Sequence, residues 1–175
     1  MHVMRYLSIV LFIMVVGISS IRAQTAAQQG IEVGNKAPEI VENSLAGNPL
    51  KLSSLAGKIV LIDFWASWCK PCRNENPFVV ASYQKYKDAA FIVGNGFTIF
   101  SVSLDKDPKA WKNAILMDGL SWENHVCVLN SNASYIQSYN ISMIPTNFLI
   151  DGNGVILASN LRGKALDEKL ASLKK

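Results

Sequence analysis

Cys69 and Cys72 enclose Lys70 and Pro71, and the pair directly follows the apolar run Ile59-Val-Leu-Ile-Asp-Phe-Trp-Ala-Ser-Trp68. Such a run reads as a buried strand, and the residues after Cys72 are compatible with a helix. The dithiol therefore falls at a strand end and on the first turn of a helix. Free backbone N–H groups and the helix dipole there favour a thiolate at Cys69 near neutral pH. Cys72 can close a disulfide with it at little cost in backbone movement. The chemistry implied is redox exchange of thiols and disulfides. The alternatives fit less well. A loop this short constrains little of the unfolded chain, so the pair is a poor structural staple. Zinc would need a second set of ligands, and the chain offers only Cys127, His2 and His125 besides.

The neighbours of the pair suggest how it works. Cys69, with the more exposed sulfur, is expected to attack, and Cys72 to resolve. Asp63 interrupts the apolar strand between Ile62 and Phe64. Burial would raise its pKa and let it take and return the Cys72 proton through water; the alternative is an exposed acid at a strand end. Trp68 either shields the pair and offers a flat contact for substrate backbone or simply packs into the core. Lys70 should lower the thiol pKa by its charge, and Pro71 should restrict the loop.

Several elements are needed to hold these residues. The continuously apolar Lys58–Trp65 reads as a central strand covered on both faces. A helix is predicted over 72–88, with Phe78, Val79, Tyr83 and Tyr86 on a shared face and Pro77 kinking it. Phe97–Leu104 is a second strand. Asp107-Pro108 should start a helix that runs to Met117 and stops at Asp118-Gly119. His125–Leu129 is strand-like, and its Cys127 reads as a buried inert thiol, with a second redox or intermolecular role as the alternative. A short helix is expected over 132–139. Strands at 146–150 and 155–158 flank the turn Asp151-Gly-Asn-Gly154 as a hairpin, and a last helix follows Gly163. Near the start, Val33–Ile40 reads as extended, Ala46–Leu50 as a turn and Leu52–Lys58 as a short helical turn. Strands alternating with helices and closed by a hairpin imply an α/β sandwich around a mixed sheet.

The 175 residues suffice for one domain with a substantial core. Residues 1–23 read as a secretory signal: a weakly basic start, an apolar run from Tyr6 to Ile18 that is short for a membrane span, and a small-residue end at Ala23. An uncleaved membrane anchor is the alternative. Residues 24–32 form a polar, flexible lead-in, and 33–175 the domain. The formal charge of +4 falls to +2 without Arg5 and Arg22, with no basic stripe, so nucleic acid is not implied.

Taken together, Gly34-Asn-Lys-Ala-Pro38, Asp63-Phe-Trp-Ala-Ser-Trp-Cys69-Lys-Pro-Cys72, Ile144-Pro145-Thr146 and Asp151-Gly-Asn-Gly154 resemble the exported TlpA/ResA-like branch of the thioredoxin superfamily. The resemblance runs from about Val33 to the C-terminus. It implies a thioredoxin-like three-layer sandwich and a thiol-disulfide oxidoreductase. It further implies that Pro145 is cis, that Ile144 presents its backbone to substrate, and that Asp63, six residues before Cys69, serves thioredoxin-type reduction. Glu75 matches an acid that can tune the thiols, although a solvated helix residue is its simpler reading. Trp111, Trp122 and Asp105 are taken as surface or core filler.

The function expected is reduction of disulfides in protein substrates outside the cytosol, with a bacterial periplasm as the setting and a membrane electron donor to recharge the dithiol. Cytochrome c biogenesis, general disulfide reduction and redox homeostasis all fit such a site, which needs no cofactor beyond the cysteine pair. Other readings are an oxidant that donates its disulfide, a peroxiredoxin-like peroxidase, for which Ala66 stands where threonine is required, and a non-catalytic carrier of apo-cytochrome or copper. Oligomeric state is not legible.

Overall fold

The computed structural model describes residues 27–128 and 133–175. The segment read as a signal (1–23), the first part of the lead-in, and Leu129 and Asn132 lie outside the described residues. The chain order begins with β1 (Val41–Asn43), β2 (Pro49–Lys51), a 3-10 turn at Leu52–Leu55, β3 (Ile59–Trp65) and α1 (Lys70–Tyr86). A small hairpin of β4 (Ala90–Phe91) and β5 (Gly94–Asn95) leads to β6 (Phe97–Ser103), α2 (Pro108–Met117) and β7 (His125–Cys127). α3 (Ser134–Ser138), β8 (Thr146–Ile150), β9 (Ile156–Ser159) and α4 (Lys164–Leu173) complete it.

The main sheet has the order β7-β6-β3-β8-β9. β3 pairs parallel with β6 and antiparallel with β8, so the sheet is mixed and β3 is central. All seven residues of β3 are buried, as its continuous apolar character implies. Because side chains alternate along a strand, the two faces separate cleanly. Ile59, Leu61 and Trp65 join one core with Val79 and Tyr86 of α1, Trp111 and Ala114 of α2, and Leu166 and Leu170 of α4. Val60, Ile62 and Phe64 join the opposite core with Ile40, Leu52, Tyr135 of α3 and Tyr139. Helix, sheet and helix therefore form the three layers of a thioredoxin-like α/β sandwich. Asp63, in alternation with Leu61 and Trp65, belongs to the α1 face.

α2 starts as its sequence dictates: Pro108 occupies the first turn and the Asp107 side chain accepts the Lys109 N–H at 2.9 Å. Elsewhere the boundaries differ from expectation. α1 begins at Lys70 rather than Cys72, because Cys69 itself caps it. Phe78 does not share the buried face of Val79 and Tyr86; it is 44% exposed, beyond the edge of the apolar stripe. The entry segment is not extended throughout, since the Asn35 N–H turns back to the Glu32 carbonyl at 3.0 Å before the chain straightens at Lys36. Farther on, the Tyr139 hydroxyl donates to the Pro38 carbonyl at 2.6 Å and ties the entry to the core. The predicted turn at 46–50 belongs to the β1–β2 hairpin.

Candidate active site

Cys69 is the N-cap of α1, and its Sγ accepts the Cys72 backbone N–H at 3.2 Å. The two sulfurs are joined as a disulfide of 2.08 Å, with the Cα atoms 5.3 Å apart. Both residues are buried, Cys69 at 5% exposure and Cys72 at 2%. Lys70 and Pro71 fill the first two helical positions and face solvent, which leaves the Cys69 sulfur in the field of the helix N-terminus. Trp68 stands 67% exposed beside the pair, so it is not core packing but an apolar surface next to the reactive sulfur. Met143, 74% exposed, adds to the exposed apolar surface of the chain just ahead of Ile144 and Pro145. The Ile144–Pro145 peptide bond is cis.

Beneath the dithiol runs a polar row across the sheet. Asp63 is in register with Ser101 of β6 and Asn147 of β8, and all three are buried. Desolvation pushes the Asp63 carboxyl from 3.8 up to about 7; Arg162 partly opposes this and Glu75 adds to it. Asp63 lines one narrow cleft with Cys72, Glu75, Pro145, Asn147 and Arg162. A carboxyl that titrates near neutrality beside the inner cysteine can exchange a proton with its thiol in either direction.

The far wall of the cleft is the loop between β9 and α4. Asn147 donates to the Leu161 carbonyl and accepts the Leu161 N–H, each at 2.9 Å. Arg162 donates to the Leu161 carbonyl at 2.8 Å and to the Pro145 carbonyl. Glu75 is not a solvated helix residue: its Oε2 accepts the Gly163 N–H at 2.7 Å, at the start of α4. Gly163, at φ 52°, holds a left-handed conformation that suits glycine.

The segment before Cys69 is held from the other side. The Asp105 carboxylate accepts the Ser67 N–H at 2.8 Å, the Ser67 hydroxyl at 2.6 Å and the Ser103 hydroxyl at 2.6 Å. The Ser67 carbonyl accepts from Arg73 at 3.2 Å, and Arg73 and Asn76 both bind Asp118 beyond the end of α2. Asp105, 1% exposed, is thus a structural anchor for the cysteine loop rather than filler, whereas Trp111 and Trp122 are core residues. Cys127 is buried, and desolvation pushes its thiol up to about 11. His125 is stacked on Trp122 with ring centroids 5.4 Å apart, and burial pushes its pKa down to about 4. Among the described residues no three His, Cys, Asp or Glu side chains cluster as a metal site would require.

Arg162, Asn147, Ser67 and the anchoring role of Asp105 were missed in the sequence. Asn147 carried a signal, a polar residue inside the apolar stretch of β8. The contacts that give the other three their roles, Arg162 to Pro145 and Ser67 to Asp105, span 17 and 38 residues of chain.

Known proteins place this geometry. The family model described as Redoxin matches residues 32–173. Thiol-disulfide oxidoreductase ResA of Bacillus cereus is 29% identical over 155 residues, covering 89% of this chain and 84% of that protein. ResA of Bacillus subtilis is 29% identical over 149 residues, covering 85% and 78%. The thioredoxin domain of a thiol-disulfide oxidoreductase from Bacteroides vulgatus superposes with a TM-score of 0.73 at 35% identity, covering 82% of this chain and 98% of that one. A Redoxin-family chain with a dithiol on the first turn of α1 and a buried acid beneath it belongs to the thioredoxin superfamily, as a TlpA/ResA-like thiol-disulfide oxidoreductase.

Proposed function

We propose that the protein is an exported reductase of disulfides in protein substrates. The Cys69 thiolate attacks one sulfur of the substrate disulfide; the substrate S–S bond breaks, a Cys69–substrate disulfide forms, and one substrate thiolate leaves. Cys72, deprotonated through Asp63, then attacks the Cys69 sulfur. This closes the Cys69–Cys72 disulfide, releases the second substrate thiolate, and passes two electrons to substrate in all. Ile144 beside cis-Pro145 offers backbone to an extended substrate segment, and Trp68 and Met143 offer apolar contact. Lys70 and Pro71 tune the thiolate. A membrane-bound dithiol donor restores the reduced form.

The observation that carries this reading is the placement of Asp63, buried on the α1 face and sharing one cleft with Cys72. Export is supported by the signal-like pattern of residues 1–23. The test is reduction of insulin disulfides with dithiothreitol as donor, alongside the potential of the pair. Cys69→Ser is expected to abolish reduction and Cys72→Ser to trap mixed disulfides. A potential near the roughly −270 mV of thioredoxin fits a reductase; one near the roughly −120 mV of DsbA would reverse the direction. Sequencing the N-terminus of the protein recovered from cells tests removal of residues 1–23.

A further inference from the structure

Leu161, Arg162 and Gly163 are tied by side-chain hydrogen bonds to different parts of the site: Leu161 to Asn147 on β8, Arg162 to Pro145, and Gly163 to Glu75 on α1. Arg162 is central in this lacing. Its guanidinium reaches two carbonyls at once, those of Leu161 and Pro145, which the single ammonium of a lysine does less well. The Pro145 carbonyl lies immediately before β8, where an extended substrate would approach, and the Arg162 guanidinium holds it in one orientation. The cleft also brings acids together. Cys72 and Glu75 face Asp63 from α1, Ser101 and Asn147 flank it in the sheet, and Arg162 supplies the positive charge from the loop.

We propose that Arg162 is a positioning residue of the exchange site, fixing the Pro145 carbonyl for the incoming disulfide strand and setting its positive charge against the carboxyls of Asp63 and Glu75. It can act so only if Cys69 and Cys72 exchange disulfides as described above. The direction of the charge effect follows from electrostatics: Arg162 holds Asp63 below where desolvation alone would put it, and its removal lets that carboxyl stay protonated to higher pH.

Two variants separate the roles. Arg162→Met keeps the aliphatic stem and loses both the charge and the fork; Arg162→Lys keeps the charge and loses the fork. The pH midpoint of the resolving step is read with the reduced protein and oxidised dithiothreitol, and KM with insulin as substrate. Arg162→Met is expected to move the midpoint to higher pH while Arg162→Lys leaves it in place. Both are expected to raise KM about tenfold, the lower end for loss of one charge-assisted hydrogen bond. A wild-type midpoint and KM in Arg162→Met overturn the proposal, whatever happens to its melting temperature. A moved midpoint with unchanged KM overturns the carbonyl-fixing role. If Arg162→Met fails to fold, unchanged KM in Arg162→Lys overturns that role too. Should the wild type exchange with dithiothreitol yet leave insulin intact, the substrate assignment fails while the midpoint still reports on Arg162.

Discussion

Asp63→Asn tests the buried acid through stability, independently of any substrate. In the folded protein the carboxyl titrates at about 7 against an ordinary 3.8, chiefly because burial disfavours its charge. Between those values the folded chain holds a proton that the unfolded chain has released. Stability therefore falls as pH rises across that window, and levels off above it. The full gap from 3.8 to about 7 corresponds to about 4 kcal/mol, taken as an upper figure. Asparagine carries a burial cost that does not vary with pH, so the informative quantity is the slope. Urea unfolding of the oxidised protein and of Asp63→Asn, in steps from pH 4 to pH 8, gives the difference directly. The variant is expected to gain on the wild type by up to about 4 kcal/mol over that range, mostly below pH 7. A difference that stays flat, or that moves against the variant as pH rises, refutes the claim that Asp63 is a desolvated acid, and the proton relay falls with it.

The remaining predictions concern the surface and the third cysteine. Trp68→Ala should raise KM for insulin severalfold while changing stability by no more than about 0.5 kcal/mol, because the side chain is 67% exposed; an unmoved KM removes its role as a substrate contact. Cys127→Ser should leave insulin reduction unchanged. In the reduced wild type at neutral pH, iodoacetamide should label Cys69 and spare Cys127, whose thiol burial holds at about 11. Peptide mass spectrometry reads this, and prompt labelling of Cys127 would show that its cover opens.

What was legible in the sequence followed from local physics. The apolar run at 59–65, short and rich in β-branched and aromatic residues, favours a doubly covered strand, and Asp107-Pro108 specifies a helix start without help from the rest of the chain. Asp63 stood out because an acid in such a run has to be either exposed or perturbed. The β1–β2 hairpin was not legible, since Val41-Glu-Asn43 has neither alternation nor an apolar run. Phe78 was misplaced because helical spacing shows which residues share a face but not where the partner layer ends. Glu75 and Arg162 were illegible as site walls. Their partners Gly163 and Pro145 are 88 and 17 residues away, and only the folded chain brings them together.

The anchoring of Ser67 bears on how long a captured partner stays attached. Its N–H, hydroxyl and carbonyl are all engaged, by Asp105 and Arg73, and Cys69 just beyond is the cap of a seventeen-residue helix. Opening the disulfide therefore releases little backbone: the two sulfurs separate by side-chain rotation while the residues bearing them stay in place. When Cys69 is linked to a partner, Cys72 remains poised at a high effective concentration against that linkage, without an ordering cost still to be met. The mixed disulfide should then be short-lived, resolved from within before a solvent thiol can intercept it. A firmly held loop thus serves release as much as attack, making the chain a quick intermediary in electron transfer rather than a trap.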